Sequence, residues 1–355
     1  MLELKGLSRR NFVKYCAATA AVFGFDYYFG RAFAEAATNA LNKKPVIWIQ
    51  GQGCTGCSCS LLSSASPGVA EILLDLVSMR FNSTVMNSAG HLSVEVLDQT
   101  IEQGNYILVV EGSIPTVDPR YCEVKGIGFD ELLNKAAKNA AAVIAAGSCS
   151  AFGGIPRAGN TGAVSVAEIV KNKPVVNIPG CPFNPNWLVG TMLYYFNFNE
   201  LPPLDHLNRP QAYFGNHFVH DTCPRVAFFE RGQFLTDWND TDTIDWCLLK
   251  KGCKGPVTHA DCNRNWFNDG VNSCIRSGSP CAGCVEPQFY GELSPLYVSP
   301  LEPGGPEMKG ISPQTGMIQP ASVALGAGIA ASPFLINKLV DLFNKNRESE
   351  NKHDE

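Results

Sequence analysis

The chain has 355 residues, enough for two domains with an ample core. Charged residues make up 17% of it and the formal net charge is -5, so it offers no basic face for nucleic acid and repels itself only mildly. Its 33 Gly and 23 Pro predict a fold rich in turns rather than long helices, and 14 Cys are too many for an ordinary cytosolic enzyme of this size, so they are disulfides or ligands.

The amino terminus points to ligands. Ser8-Arg9-Arg10-Asn11-Phe12-Val13-Lys14 matches the twin-arginine export signature, and the apolar segment 15–29 and the small-residue site Ala32-Phe33-Ala34 follow it. Residues 1–34 are therefore expected to be a signal removed on export to the periplasm, and Cys16 leaves with them. That route carries folded proteins, so a cofactor can be inserted before the thiols meet an oxidising compartment. The alternative is an amphipathic surface helix that happens to carry two arginines.

From Pro45 to about Pro210, short apolar strands alternate with helical stretches. Strands are predicted at 46–49, 106–110, 142–146 and 175–178, and helices at 67–80 and 130–139. All-apolar strands joined by helices indicate an α/β domain with a parallel sheet covered on both faces, flavodoxin-like in pattern. Each strand ends in a glycine-bearing turn, and three of these ends carry cysteine: Cys54 and Cys57, Cys149, and Cys181. Loops at the carboxyl ends of parallel strands converge on one crevice, so these four can meet. The turn Gly51-Gln52-Gly53 could also cradle a flavin phosphate, but no acidic ribose partner is evident and Cys54 and Cys57 already occupy it.

Residues 211–300 show little periodicity and the densest cysteine content. Such a segment orders itself with difficulty on apolar burial alone, so a second, loop-rich domain organised by bound metal is expected there. Beyond it, 301–355 forms a tail. Residues 310–337 carry no charge, and as a helix those 28 residues would extend roughly 42 Å. That makes 317–337 a candidate inner-membrane anchor, with Lys338, Lys345, Arg347 and Lys352 left in the cytoplasm. Pro320 and Pro333 weaken it, and packing on a partner subunit is the other reading.

Three ligand groups emerge: Cys54, Cys57, Cys149 and Cys181; His220, Cys223, Cys247 and Cys253; and Cys262, Cys281 and Cys284. Cys-x-x-Cys alone fits zinc, a redox dithiol or an iron-sulfur cluster. In combination, Cys-Thr-Gly-Cys-Ser at 54–58, Val-Glu-Gly-Ser-Ile-Pro at 110–115, Pro-Gly-Cys-Pro at 179–182 and Gly-Cys-Lys-Gly-Pro at 252–256 closely resemble the small, electron-transferring subunit of nickel-iron hydrogenases. The resemblance runs from the export signal to about Val298.

It implies that the first group holds a proximal 4Fe-4S cluster, the second a distal 4Fe-4S cluster and the third a medial cluster. In much of the family the medial cluster is 3Fe-4S, with proline where this chain has Cys274. Nickel-iron-selenium hydrogenases carry Cys at that position, so Cys274 is expected to be a fourth ligand to a medial 4Fe-4S cluster. A spare buried thiol is the alternative. The distal histidine replaces a thiolate with a neutral imidazole, so the cluster accepts an electron more readily. Oxygen-tolerant relatives add proximal cysteines at positions matching Gly56 and Gly154, which implies an ordinary proximal centre here. Cys59 and Cys122 are expected to pack.

The resemblance also implies a heterodimer with a nickel-iron large subunit, where reversible hydrogen cleavage takes place. A c-type cytochrome or membrane cytochrome b is the implied electron acceptor. An exported zinc-binding protein and a hydrogen sensor are the competing readings. Zinc ligands are usually local, whereas the first group spans 54 to 181, and export argues against a sensor with cytoplasmic partners.

Overall fold

A computed structural model describes residues 44–291, apart from 65, 66 and 216. The export signal over 1–34, the tail over 301–355 and its candidate anchor over 317–337 lie outside the described residues. Among those described, no helix is long and apolar enough to cross a membrane.

Seven strands follow in chain order: β1 (Pro45–Gln50), β2 (Ser78–Asn82), β3 (Ile107–Glu111), a small antiparallel pair β4 (Glu123–Val124) and β5 (Ile127–Gly128), then β6 (Ala142–Ala146) and β7 (Val175–Ile178). Five of them form one parallel sheet in the order β2-β1-β3-β6-β7. This is the doubly wound order of flavodoxin-like folds, with the topological switch between β1 and β3. The α/β class is as expected.

Alternation along β1 divides the core. Ile47 and Ile49 face a cluster with Leu97 and Ile101 of α2 (His91–Gln103) and with Phe129, Leu132, Leu133 and Ala136 of α3 (Phe129–Asn139). Val46 and Trp48 face the other cluster, built on Trp187, Leu188 and Met192 of α5 (Pro185–Phe198). Asn184 caps α5, accepting from Asn186 N at 3.0 Å, and Pro185 at the first helical position needs no N–H partner. In α3, Asp130 and Glu131 sit in the first turn and Lys138 in the last, complementing the helix dipole. Two further short helices, α1 (Gly56–Leu62) and α4 (Ser148–Phe152), start at strand ends.

The expected helix over 67–80 is overturned. A helical turn at Val69–Glu71 passes into a π turn at Ile72–Leu76, and the chain then enters β2. The edge of β1 supplies ladder partners for Ser78, Met79, Phe81 and Asn82, and this pairing outweighs the local helical pattern. α2 and α5 are found where no element was predicted.

Residues 211–291 form short helical turns joined by loops, with only isolated bridges such as Phe234 to Cys247. The core does not stop at 210. Phe214, Val219, Leu235, Leu248, Ala260, Ile275 and Val285 join the cluster that covers Trp48 and Trp187. Trp187 Nε1 donates to Asp261 Oδ1 at 2.7 Å, and its ring meets Phe267 at 5.9 Å.

Candidate metal centres

At the switch point, β1 runs into Gly51-Gln52-Gly53-Cys54, and α1 begins at Gly56, immediately before Cys57. Thr55 turns the chain with φ 63. Cys149 lies in the first turn of α4 and Cys181 just beyond β7, so four cysteines far apart in sequence gather at one sheet edge. Glycine makes room for them. A Cβ on Gly147, at φ +94, would lie 2.4 Å from Cys57 Sγ, and one on Gly154, at φ +53, would lie 2.8 Å from Cys149 Sγ. A Cβ on Gly56 would stand 3.0 Å from Cys54 Sγ.

These thiols disfavour their own ionisation. Burial, then the charges of Cys181 and Cys54, push Cys149 up to about 12. Burial, then the charge of Glu111, raise Cys57 well above the ordinary thiol range, with Cys149 and Cys181 adding to it. Glu111 closes β3 and is 4% exposed. Its Oε2 accepts from Trp48 Nε1 at 3.0 Å, Gln50 Nε2 at 3.0 Å and Ser58 Oγ at 2.6 Å. Its Oε1 accepts from the amides of Cys57 at 3.0 Å and Ser58 at 3.2 Å. A fully hydrogen-bonded carboxylate thus fixes the start of α1 and places a negative charge beside Cys57.

The second group surrounds a narrow cavity of about 10 Å³ lined by His220, Cys223, Cys247 and Cys253, with Leu248, Leu249, Pro256 and Ile275 as apolar wall. His220 is buried, its Nε2 has no hydrogen-bond partner, and burial lowers its pKa. A neutral ring with an unsatisfied nitrogen is a competent ligand. Burial pushes Cys223 up to about 11 and Cys247 up to about 12.

In the third group, burial and the charges of Cys284 and Cys281 raise Cys262 well above the ordinary range. Cys274 also acts electrostatically on Cys262 and on Cys284, and burial raises its own pKa. It acts likewise on Cys253 of the second group, so Cys274 stands within electrostatic reach of both. The three groups also touch one another. Cys281 N donates to Cys253 Sγ at 3.3 Å, linking the third group to the second. Cys284 is within reach of the charge of Cys181, and Ser148 Oγ donates to the Cys284 carbonyl, linking the third group to the first.

Crowded, buried thiols of this kind need a cation to hold them as thiolates, and iron in a cluster would supply it. Among the described residues no three His, Cys, Asp or Glu side chains are placed to share a single metal ion. Thiolates sharing one zinc would stand about 3.8 Å apart, whereas cluster ligands bind separate irons and spread wider.

Known proteins resemble the chain over most of its length. Residues 215–297 match the family model for the carboxyl-terminal part of the NiFe/NiFeSe hydrogenase small subunit, and residues 54–195 that of the NADH ubiquinone oxidoreductase 20 Kd subunit. The periplasmic [NiFeSe] hydrogenase small subunit of Desulfomicrobium baculatum is 41% identical over 82% of this chain and 99% of its own length. The chain belongs to the nickel-iron hydrogenase small-subunit family. The hydrogenase-2 small chain of Escherichia coli K12 is 40% identical over 81% of this chain and 78% of its own length. The crystal structure of a reduced, active form of the Ni-Fe-Se hydrogenase from Desulfomicrobium baculatum aligns with TM-score 0.67 and 41% identity, covering 73% of this chain and 100% of that one.

As a hydrogenase small subunit, the chain is the electron-transfer part of an oxidoreductase whose catalytic site lies in the large subunit. Members of the family carry iron-sulfur clusters. The most important residue that sequence reasoning passed over is Glu111, although an acid closing an all-apolar strand was a visible signal. Cys59 is exposed, so it does not pack as expected, whereas Cys122 is half-buried against the Phe129 side of the core.

Proposed function

We propose that this hydrogenase small subunit holds three clusters: a proximal 4Fe-4S on Cys54, Cys57, Cys149 and Cys181, a medial 4Fe-4S on Cys262, Cys274, Cys281 and Cys284, and a distal 4Fe-4S on His220, Cys223, Cys247 and Cys253. When bound, the clusters supply one-electron storage sites between the nickel-iron centre of the large subunit and an external carrier. The contacts among ligands of successive groups carry this reading: Cys181 to Cys284 and Cys281 to Cys253. Residues 45–210 supply the first ligand set and 211–300 the other two.

The assignment of Cys274 is supported by its electrostatic reach to Cys262 and Cys284. A fourth thiolate adds negative charge and lowers the medial potential, flattening the relay. At the proximal site, Gly56 and Gly154 leave no further thiols beside Cys54 and Cys149, so the centre is an ordinary one without tolerance of oxygen by the extra-cysteine route. A periplasmic heterodimer, exported by the twin-arginine route and passing electrons to a c-type cytochrome or membrane cytochrome b, completes the proposal; the periplasmic naming of relatives supports the compartment.

Iron, acid-labile sulfide and electron paramagnetic resonance on the anaerobically purified complex test it. Three clusters without an oxidised 3Fe-4S signal are expected. A strong 3Fe-4S signal would overturn the role of Cys274, and protein with zinc but no iron would overturn the whole assignment.

A further inference from the structure

Arg209 carries a guanidinium deep in the interior, where its side chain is 1% exposed. Its Nε donates to Asp205 Oδ2 at 2.8 Å, and its Nη1 donates to the Val285 carbonyl at 3.0 Å and to Glu286 Oε1 at 3.3 Å. The guanidinium carbon stands 5.4 Å from the centre of the Phe214 ring. Taking such charges out of water costs about as much as their attraction returns, so a buried ion group of this kind serves registry better than stability.

The partners of Arg209 show what is held in register. On one side, its loop is fastened to the sheet. Asp205 Oδ1 accepts from the amides of Leu207 at 2.9 Å and Arg209 at 2.8 Å. Asn177 of β7 donates its amide to the Asn208 carbonyl and its Nδ2 to the Leu207 carbonyl, both at 2.8 Å. β7 leads directly into Pro179-Gly180-Cys181 of the first group. On the other side, Val285 immediately follows Cys284, and the Glu286 amide donates to the Gly283 carbonyl at 3.0 Å, closing the turn around Cys284. Glu286 Oε1 also accepts from the amide of His259 at 2.7 Å and lies 3.1 Å from His259 Nδ1, on the segment that runs into Cys262. One guanidinium and one carboxylate oxygen therefore join the strand that delivers Cys181 to both segments that deliver the third group. A lysine would keep the charge but lacks the planar fork that reaches Asp205, Val285 and Glu286 together.

We propose that Arg209, acting through Glu286, is a positioning residue for electron transfer: it fixes the third ligand group at its working separation from the first. The proposal rests on the relay reading above. Electron transfer between buried centres weakens steeply with distance, so a small displacement of Cys284 from Cys181 slows it without altering any ligand. Hydrogen bonds behind the ligands are the general means of holding such geometry.

The test uses the purified heterodimer, kept anaerobic and challenged with an iron chelator. Loss of each centre is followed by electron paramagnetic resonance at poised potentials, and unfolding by circular dichroism. In Arg209→Lys and in Glu286→Ala, the third-group centre is expected to be lost about threefold faster than in wild type, or more, ahead of the other two and before the chain unfolds. The magnetic interaction between the reduced first and third centres is expected to change in the same variants. Glu286→Gln keeps an oxygen for Arg209 and His259, and it should bring the loss rate back to within about threefold of wild type. A smaller change than this in both disruptive variants, or an unchanged magnetic interaction in both, overturns the proposal. So does loss of all three centres together in step with unfolding, or failure of both variants to assemble, since the ion group then serves the fold as a whole. A Glu286→Gln complex as labile as Glu286→Ala also overturns it, because charge rather than position then decides. A wild-type complex with no third-group centre overturns the relay reading and this proposal with it, whereas unaltered behaviour in a complex with all three centres overturns this proposal alone.

Discussion

Glu111 shows how much a single side chain settles at the first group. Its carboxylate is buried, and five donors converge on it in place of water. Because two of those donors are the amides of Cys57 and Ser58, the geometry of the cluster loop and the local negative charge have the same source. Glu111→Gln removes the charge and turns one acceptor into a donor facing donors. The expected cost is about 1–3 kcal/mol of stability. The expected electronic effect is a rise of several tens of millivolts in the proximal midpoint potential, where about 59 mV is a tenfold change for one electron. Redox titration followed by paramagnetic resonance checks it, and a fall in potential would contradict it. Cys274→Pro is expected to convert the medial centre to 3Fe-4S, visible as a new signal in the oxidised protein, with the other two centres unchanged.

At the scale of elements, the turns that end the strands matter more than the strands. Gly147 joins β6 to α4 at φ +94, with Cys57 Sγ 2.4 Å from where a Cβ would stand. Gly147→Ala therefore combines backbone strain of about 1–2 kcal/mol with a clash against the Cys57 sulfur. Loss of proximal iron with the other two centres retained is the expected result, read by iron content and spectroscopy. Helix α2 is tied down by a different device: Asp98 pairs with Lys125 beside the small β4–β5 pair and with Lys135 of α3 at 3.1 Å. Partial burial works against the Asp98 carboxylate, but the two lysines outweigh it and hold its pKa below the ordinary 3.8. This contribution, about 0.2–1 kcal/mol for a solvent-screened pair, is fully present above that ordinary value and is lost as pH falls through the depressed one. Asp98→Asn should remove that part of the acid sensitivity in a denaturation series.

Four of the five sheet strands were legible in the sequence because they are almost wholly apolar and buried, the pattern of a covered parallel sheet. β2 was not, because Met79 and Phe81 alternate with polar residues on an edge, within a stretch that reads equally well as helix. The four cysteines of the first group could be gathered from strand ends alone. The partners of Glu111, the Ser148 to Cys284 link and the amide contact at Cys253 depend on which loops meet in space, and local pattern does not encode that.

For the molecule as a whole, the first group opens towards exposed apolar residues. Cys54 and Cys181 reach the surface, and Val117, Tyr121 and Ile155 are 66%, 54% and 51% exposed. Ile155 donates its amide to Cys149, and Val117 packs by Gly162, next to the Thr161 that binds Gln52. We read this as the surface that meets the large subunit, so Ile155→Asp is expected to weaken the heterodimer about tenfold or more, measured by sedimentation of the purified complex. The apolar cluster that runs from Trp48 through Trp187 to Val285 has a further consequence for how the chain could be reused. A stand-alone ferredoxin cannot be excised at 211, because the cut would strip walls from one continuous interior and expose Trp187 together with its bond to Asp261. Shuffling or grafting of the carboxyl-terminal wiring therefore has to carry α5 and its sheet face along, and the two halves are inherited as one piece.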